Sequence, residues 1–142
     1  MASHVAYELR MWQWSGNRLA QFGQKQLGTP ERNAVIESYL LHLRNLIEFF
    51  RSDGTRSDDV VALNFAPNWA LGDHAPVLER AWISLNKRLN HITSERLNKA
   101  AWPTVEKSWQ RAHDTVAELW LQFETELDDE RRAWFHPDFT AS

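Results

Sequence analysis

Apolar residues return every three or four positions along four stretches of this chain, and no stretch alternates convincingly at period two. That spacing places large side chains on one face of a helix. The first stretch covers about Ser3 to Gln26, with Val5, Leu9, Trp12, Leu19 and Phe22 in phase. The second runs from about Pro30 to Arg51 through Ile36, Leu40, Leu43, Ile47 and Phe50, and Val35, Tyr39, Leu46 and Phe49 widen its apolar arc. The third spans about Pro76 to Lys99 on Leu78, Trp82, Leu85, Leu89 and Ile92. The fourth begins near Pro103, runs to about Asp128, and carries Val105, Trp109, Ala112, Val116, Leu119, Phe123 and Leu127. Four such stripes predict an all-α fold, an antiparallel helical bundle of four long helices with a long ordered loop between helices 2 and 3. Residues 1–142 read as a single helical domain, without repeats or low-complexity segments.

Local signals punctuate the stripes. Gly16 and Gly23 weaken the first helix. Thr29 is the expected N-cap of the second, with Pro30 at its first position, where a missing N–H matters least. Gly54 is placed to end that helix. Residues 53–76 form the longest irregular stretch, yet Val60, Val61, Leu63, Phe65, Trp69 and Leu71 are too apolar for a free linker. They predict an ordered loop lying over the bundle as a lid, with a short helical turn and a possible pocket beneath it. Asp128 to Arg132 reads as a solvated charged stretch, after which Ala133, Trp134 and Phe135 pack back.

Composition narrows the function classes. The chain has no cysteine, which excludes disulfides, thiolate nucleophiles and cysteine zinc sites. A net charge of −3 provides no basic footprint for non-specific nucleic-acid binding, although a local patch for RNA remains open. No apolar run approaches a membrane span, so a cytoplasmic protein without a membrane partner is expected. The eight tryptophans are too many for one core, and an interface or groove is the expected outlet for some of them, Trp12 and Trp14 included. A homodimer is the first partner expected, with another protein as a second possibility.

Two histidine-bearing segments hold the candidate chemistry. On the second helix, His42 falls within the apolar arc, Asn45 lies one turn away on the polar side, and Arg44 projects to the opposite flank, paired with Glu48 four residues on. A buried, hydrogen-bonded histidine accounts for His42 as readily as a site or dimer seam does. On the third helix, Ser84, Arg88, His91 and Glu95 form a polar strip in which arginine, histidine and carboxylate could bind phosphate and move a proton. An ordinary solvated face accounts for the same strip. Arg96 falls at the centre of the apolar stripe, so either the helix loosens before it or its guanidinium reaches a partner carboxylate at the bundle end. His42, His91 and His113 lie on three helices and could converge, but no Glu-x-x-His pair occurs, and neither a metal nor a cofactor is expected.

The segment Ile36 to Phe50 around His42, followed by Asp58-Asp-Val-Val61 and Asn86-Lys-Arg-Leu-Asn-His-Ile-Thr93, resembles a family of small helical bacterial proteins. More distantly it is similar to the HEPN superfamily, over roughly residues 31 to 100. That resemblance implies a helical bundle that dimerises, in many members a ribonuclease of a toxin–antitoxin or defence system. The HEPN pattern is an arginine, often followed by a polar residue, with a histidine four to six positions later. His91 resembles that histidine, but Asn86 and Lys87 stand where the arginine and its neighbour belong, and Arg88 is too close. The first expectation is therefore a non-catalytic dimeric interaction module. The alternative is a HEPN-like ribonuclease in which His91 acts as acid or base and Arg88 or Arg96 holds phosphate, with His42, Arg44, Asn45 and Glu95 in a site or interface.

Overall fold

The computed structural model describes residues 1–26, 28–90 and 102–136. Within them the protein is all-helical, with no strand. Five α-helices follow in order: α1 (Ala2–Ala20), α2 (Pro30–Arg51), α3 (Ala75–Asn90), α4 (Trp102–Glu126) and α5 (Asp129–Phe135). Short 3-10 turns occupy Gln24–Gln26, Ala62–Asn64 and Gly72–His74. Among the described residues no helix is long and apolar enough to cross a membrane.

Helix ends follow local chemistry. α2 starts at Pro30, and the Thr29 hydroxyl accepts from the Arg32 N–H at 3.3 Å. α1 stops earlier than its periodicity predicts, at the Gln21 cap. Gly23 does not propagate the helix; its N–H donates instead to the Gln26 side chain at 2.8 Å, and the chain tightens into a 3-10 turn. Gly54 does not terminate α2. Ser52 caps the helix in an extended conformation, and Gly54 lies two residues beyond with φ +70°. A Cβ there would stand 3.1 Å from Val61 Cγ2, so glycine serves the turn into the following loop.

The stretch expected to be charged and solvated after α4 is α5. Asp128 caps it, its carboxylate accepting from the Arg131 N–H at 2.8 Å. Asp129 and Glu130 face outward while Phe135, only 3% exposed, turns inward; Trp134 stays at the surface. Arg132 fills in for the missing next turn of α4. Its Nε donates to the Glu124 carbonyl at 3.1 Å and its Nη2 to the Leu127 carbonyl at 2.9 Å.

The core lies where the four stripes meet. Leu43, Leu46, Ile47 and Phe50 of α2 pack with Leu78 and Leu85 of α3 and with Val116, Leu119 and Phe123 of α4, while Val5, Leu9 and Trp12 close it from α1. At one end the rings of Phe49, Phe50, Phe65, Trp69, Trp120, Phe123 and Phe135 form a continuous aromatic cluster, mostly edge to face. Phe65 and Trp69 come from the segment between α2 and α3, and the Trp69 indole N–H donates to the Phe50 carbonyl at 3.1 Å. The apolar residues of that segment are therefore core residues reached from outside the helices.

Candidate functional site

Two constellations bring together chemistry-bearing side chains. The first is a polar seam joining α1, α2 and α3. His42 is buried, and its Nδ1 lies 2.6 Å from Glu8 Oε2. A carboxylate oxygen accepts, which assigns Nδ1 as the donor of this bond. Asn45 Nδ2 donates to the same Glu8 oxygen at 3.0 Å. Arg44 Nη1 donates to Asn45 Oδ1 at 3.3 Å, and Arg44 Nε donates to Asn86 Oδ1 of α3. The Tyr7 ring meets the His42 ring edge-on, with centroids 5.7 Å apart. A small cavity of about 170 Å³ adjoins the seam, lined by His4, Glu8, Asn45, Leu46, Phe49 and Val60 among others.

His42, Arg44 and Asn45 are thus linked in one network. Arg44 does not pair with Glu48 as helix spacing predicts; Glu48 accepts from Arg51 Nη1 at 3.2 Å. Arg51 also reaches Glu79 of α3 at 2.7 Å and lies 4.2 Å above the Trp82 ring. Arg88 turns to α4, where its guanidinium lies 5.5 Å from the Trp109 ring centroid. His91, Glu95 and Arg96 lie outside the described residues. Among the described residues no group of three or more histidines and carboxylates could hold a metal ion. His42 and His113 have different partners, on different helices.

The second constellation is a groove of about 750 Å³ between α1, α2 and α4. Trp12, Tyr39, Trp109 and His113 form its walls, and Gln13, Asn17 and Gln110 its polar rim. Tyr39 Oη and His113 Nδ1 share a hydrogen bond of 2.8 Å. The His113 ring stacks near Tyr39 and tilts against Trp12, with centroids 6.0 and 4.6 Å away. The indole nitrogen of Trp109 is buried with no hydrogen-bond partner, while the buried Trp12 indole N–H faces the Tyr39 hydroxyl. Gly16 adjoins the Tyr39 ring; a Cβ there would sit 3.5 Å from it.

Burial governs ionisation in this groove. It pushes the Tyr39 hydroxyl up to about 12; the Trp12 indole N–H, which favours the phenolate, partly opposes this, and the Asp114 carboxylate adds to it. It pushes His113 below the ordinary histidine value, and Asp114 only partly opposes this. Both side chains are neutral at pH 7. The unfolded chain releases the tyrosine proton near pH 10, the folded chain only near 12. Stability due to Tyr39 is therefore full below pH 10 and lost as pH rises from 10 to 12, by roughly 3 kcal/mol. Thermal melts from pH 9 to 12 should show Tyr39→Phe with a shallower alkaline decline than the wild type; parallel declines would contradict this. At the acid end, His113 removes stability as pH falls below the ordinary histidine range, because the unfolded ring takes up its proton first.

Glu8, Tyr39 and Trp109 were not singled out as site residues by the sequence, whereas Trp12, expected at an interface or groove, lines the groove. The available hint was positional. Tyr39 and His113 both lie beside an apolar stripe, where a polar group needs a partner from a neighbouring helix. The chain matches no protein-family model, no curated protein and no solved structure.

Proposed function

We propose that this protein is a non-catalytic helical interaction module that acts as a homodimer, built on an antiparallel four-helix bundle with the 53–76 segment as its lid. The observation that carries the reading is the apolar face along the α1–α2 seam. Tyr7 and Trp14 lie seven residues apart, two turns of the same face of α1, and are 46% and 55% exposed. Tyr7 meets His42, and the next residue outward on α2, Leu41, is 44% exposed. A contiguous exposed apolar patch marks an association site, aromatic side chains are enriched among the residues that carry binding energy, and a two-fold dimer needs one self-complementary patch. The polar residues beneath this face are engaged in joining helices, with Glu8 held by His42 and Asn45 and Arg44 held by Asn86. The opposite order of the α1 and α2 contacts supports the antiparallel arrangement: Glu8 meets His42 and Asn45, while Ser15 meets Ser38.

Light scattering should give twice the 16.6 kDa chain mass for the wild type, and the chain mass for Trp14→Asp/Leu41→Asp with helical content unchanged. A wild type that stays monomeric up to high micromolar concentration removes the proposal.

One observation favours the second reading, a HEPN-like ribonuclease. Arg44 reaches across from α2 to Asn86, the residue at which the HEPN pattern would have its arginine. In that reading Arg44 supplies from a neighbouring helix the charge that position 86 lacks, and His91 acts as acid or base. Metal-independent RNA cleavage lost in both Arg44→Ala and His91→Ala is the result it requires.

A further inference from the structure

We propose that the groove between α1, α2 and α4 binds an uncharged, planar aromatic small molecule that carries a carbonyl-type hydrogen-bond acceptor. Its volume of about 750 Å³ lies within the range of small-molecule sites. Four aromatic rings from three helices supply flat surfaces, and flat surfaces select a flat ligand. The amides of Gln13 and Asn17 at the rim offer both donors and acceptors. The indole N–H of Trp109 lacks a partner, and a ligand that accepts from it removes a standing desolvation penalty.

Charge decides the class. No residue lining the groove is charged at pH 7, since Tyr39 and His113 are both neutral there. An aromatic cage of this kind could attract a cation, but the Arg88 guanidinium already sits against the Trp109 ring and opposes one. An anion is opposed by the Asp114 carboxylate, whose field reaches both Tyr39 and His113. With a fixed charge of each sign beside the groove and none within it, an ionic ligand would lose its hydration without gaining a counter-ion.

Three probes of one shape test this: 2-naphthamide, naphthalene-2-carboxylate and 2-naphthylmethylammonium, titrated into ¹⁵N-labelled protein while the tryptophan indole N–H signals are followed. The neutral amide should shift the Trp12 and Trp109 signals in a saturable way, with both ions about tenfold weaker or worse. Gly16→Leu should abolish the shift. A Cβ at that position makes only ordinary contact with the Tyr39 ring, so the helix tolerates it while the longer side chain fills the groove. An unchanged melting temperature separates a filled groove from a damaged fold. The proposal is overturned if the ammonium or the carboxylate binds tightest, if no probe moves either signal, or if Gly16→Leu binds as the wild type does.

Discussion

Alanine at position 123 is expected to remove about 3–5 kcal/mol of stability, a large share of the roughly 5–15 kcal/mol that holds a domain folded. Phe123 is fully buried. Its ring centroid lies 5.3 Å from Phe49 and Phe135, 5.7 Å from Trp69 and Trp120, and 6.0 Å from Phe50. Those partners come from α2, α4, α5 and the segment between α2 and α3. Deleting the ring removes its transfer free energy and leaves a cavity whose walls are held by separate elements and cannot all collapse inward. Phe123→Leu retains most of the volume and should lose markedly less. Urea unfolding of the two variants measures the difference. A Phe123→Ala cost below about 1 kcal/mol would mean that the aromatic cluster is not the anchor described above.

The second large effect is expected at Glu8. One carboxylate oxygen accepts from both His42 and Asn45, and so ties α1 to α2 at two points. Glu8→Ala leaves an imidazole N–H and an amide N–H without their acceptor in a largely buried seam, at a cost of roughly 2–4 kcal/mol. Glu8→Gln retains one acceptor oxygen and should fall between the wild type and the alanine variant. The decisive experiment is a double-mutant cycle. If the carboxylate and the ring act as a unit, Glu8→Ala and His42→Ala together should cost clearly less than the sum of the two. Strict additivity would show that the 2.6 Å contact contributes nothing of its own.

How much of this was legible in the sequence depends on how far apart the partners stand. Apolar periodicity and the Thr29–Pro30 signal act over one or two turns, and they placed α2 at Pro30–Arg51. The helical wheel also put His42 on the buried side. What it could not supply was the partner. Glu8 is 34 residues from His42, and His113 is 74 from Tyr39. Arg44 shows how a local rule loses. Its neighbour four residues on was available, but Asn86 approaches across a half-buried seam, where a hydrogen bond is worth more than an exposed ion pair. The α5 helix was missed for a related reason. Its charged sequence resembles a solvated linker, and only the Asp128 cap together with a buried Phe135 distinguishes it.

The Arg132 contacts bear on how this end of the molecule comes apart. A helix normally frays from its last turn inward, because its final carbonyls have no partner. Here two of those carbonyls, at Glu124 and Leu127, are held by a side chain from the next helix, and Phe135 of that helix rests on the same ring cluster. The end of α4 is therefore coupled to α5. Opening this end requires the Arg132 bonds and the Phe135 packing to be lost together, which ties the far end of the longest described helix to the aromatic core beneath it.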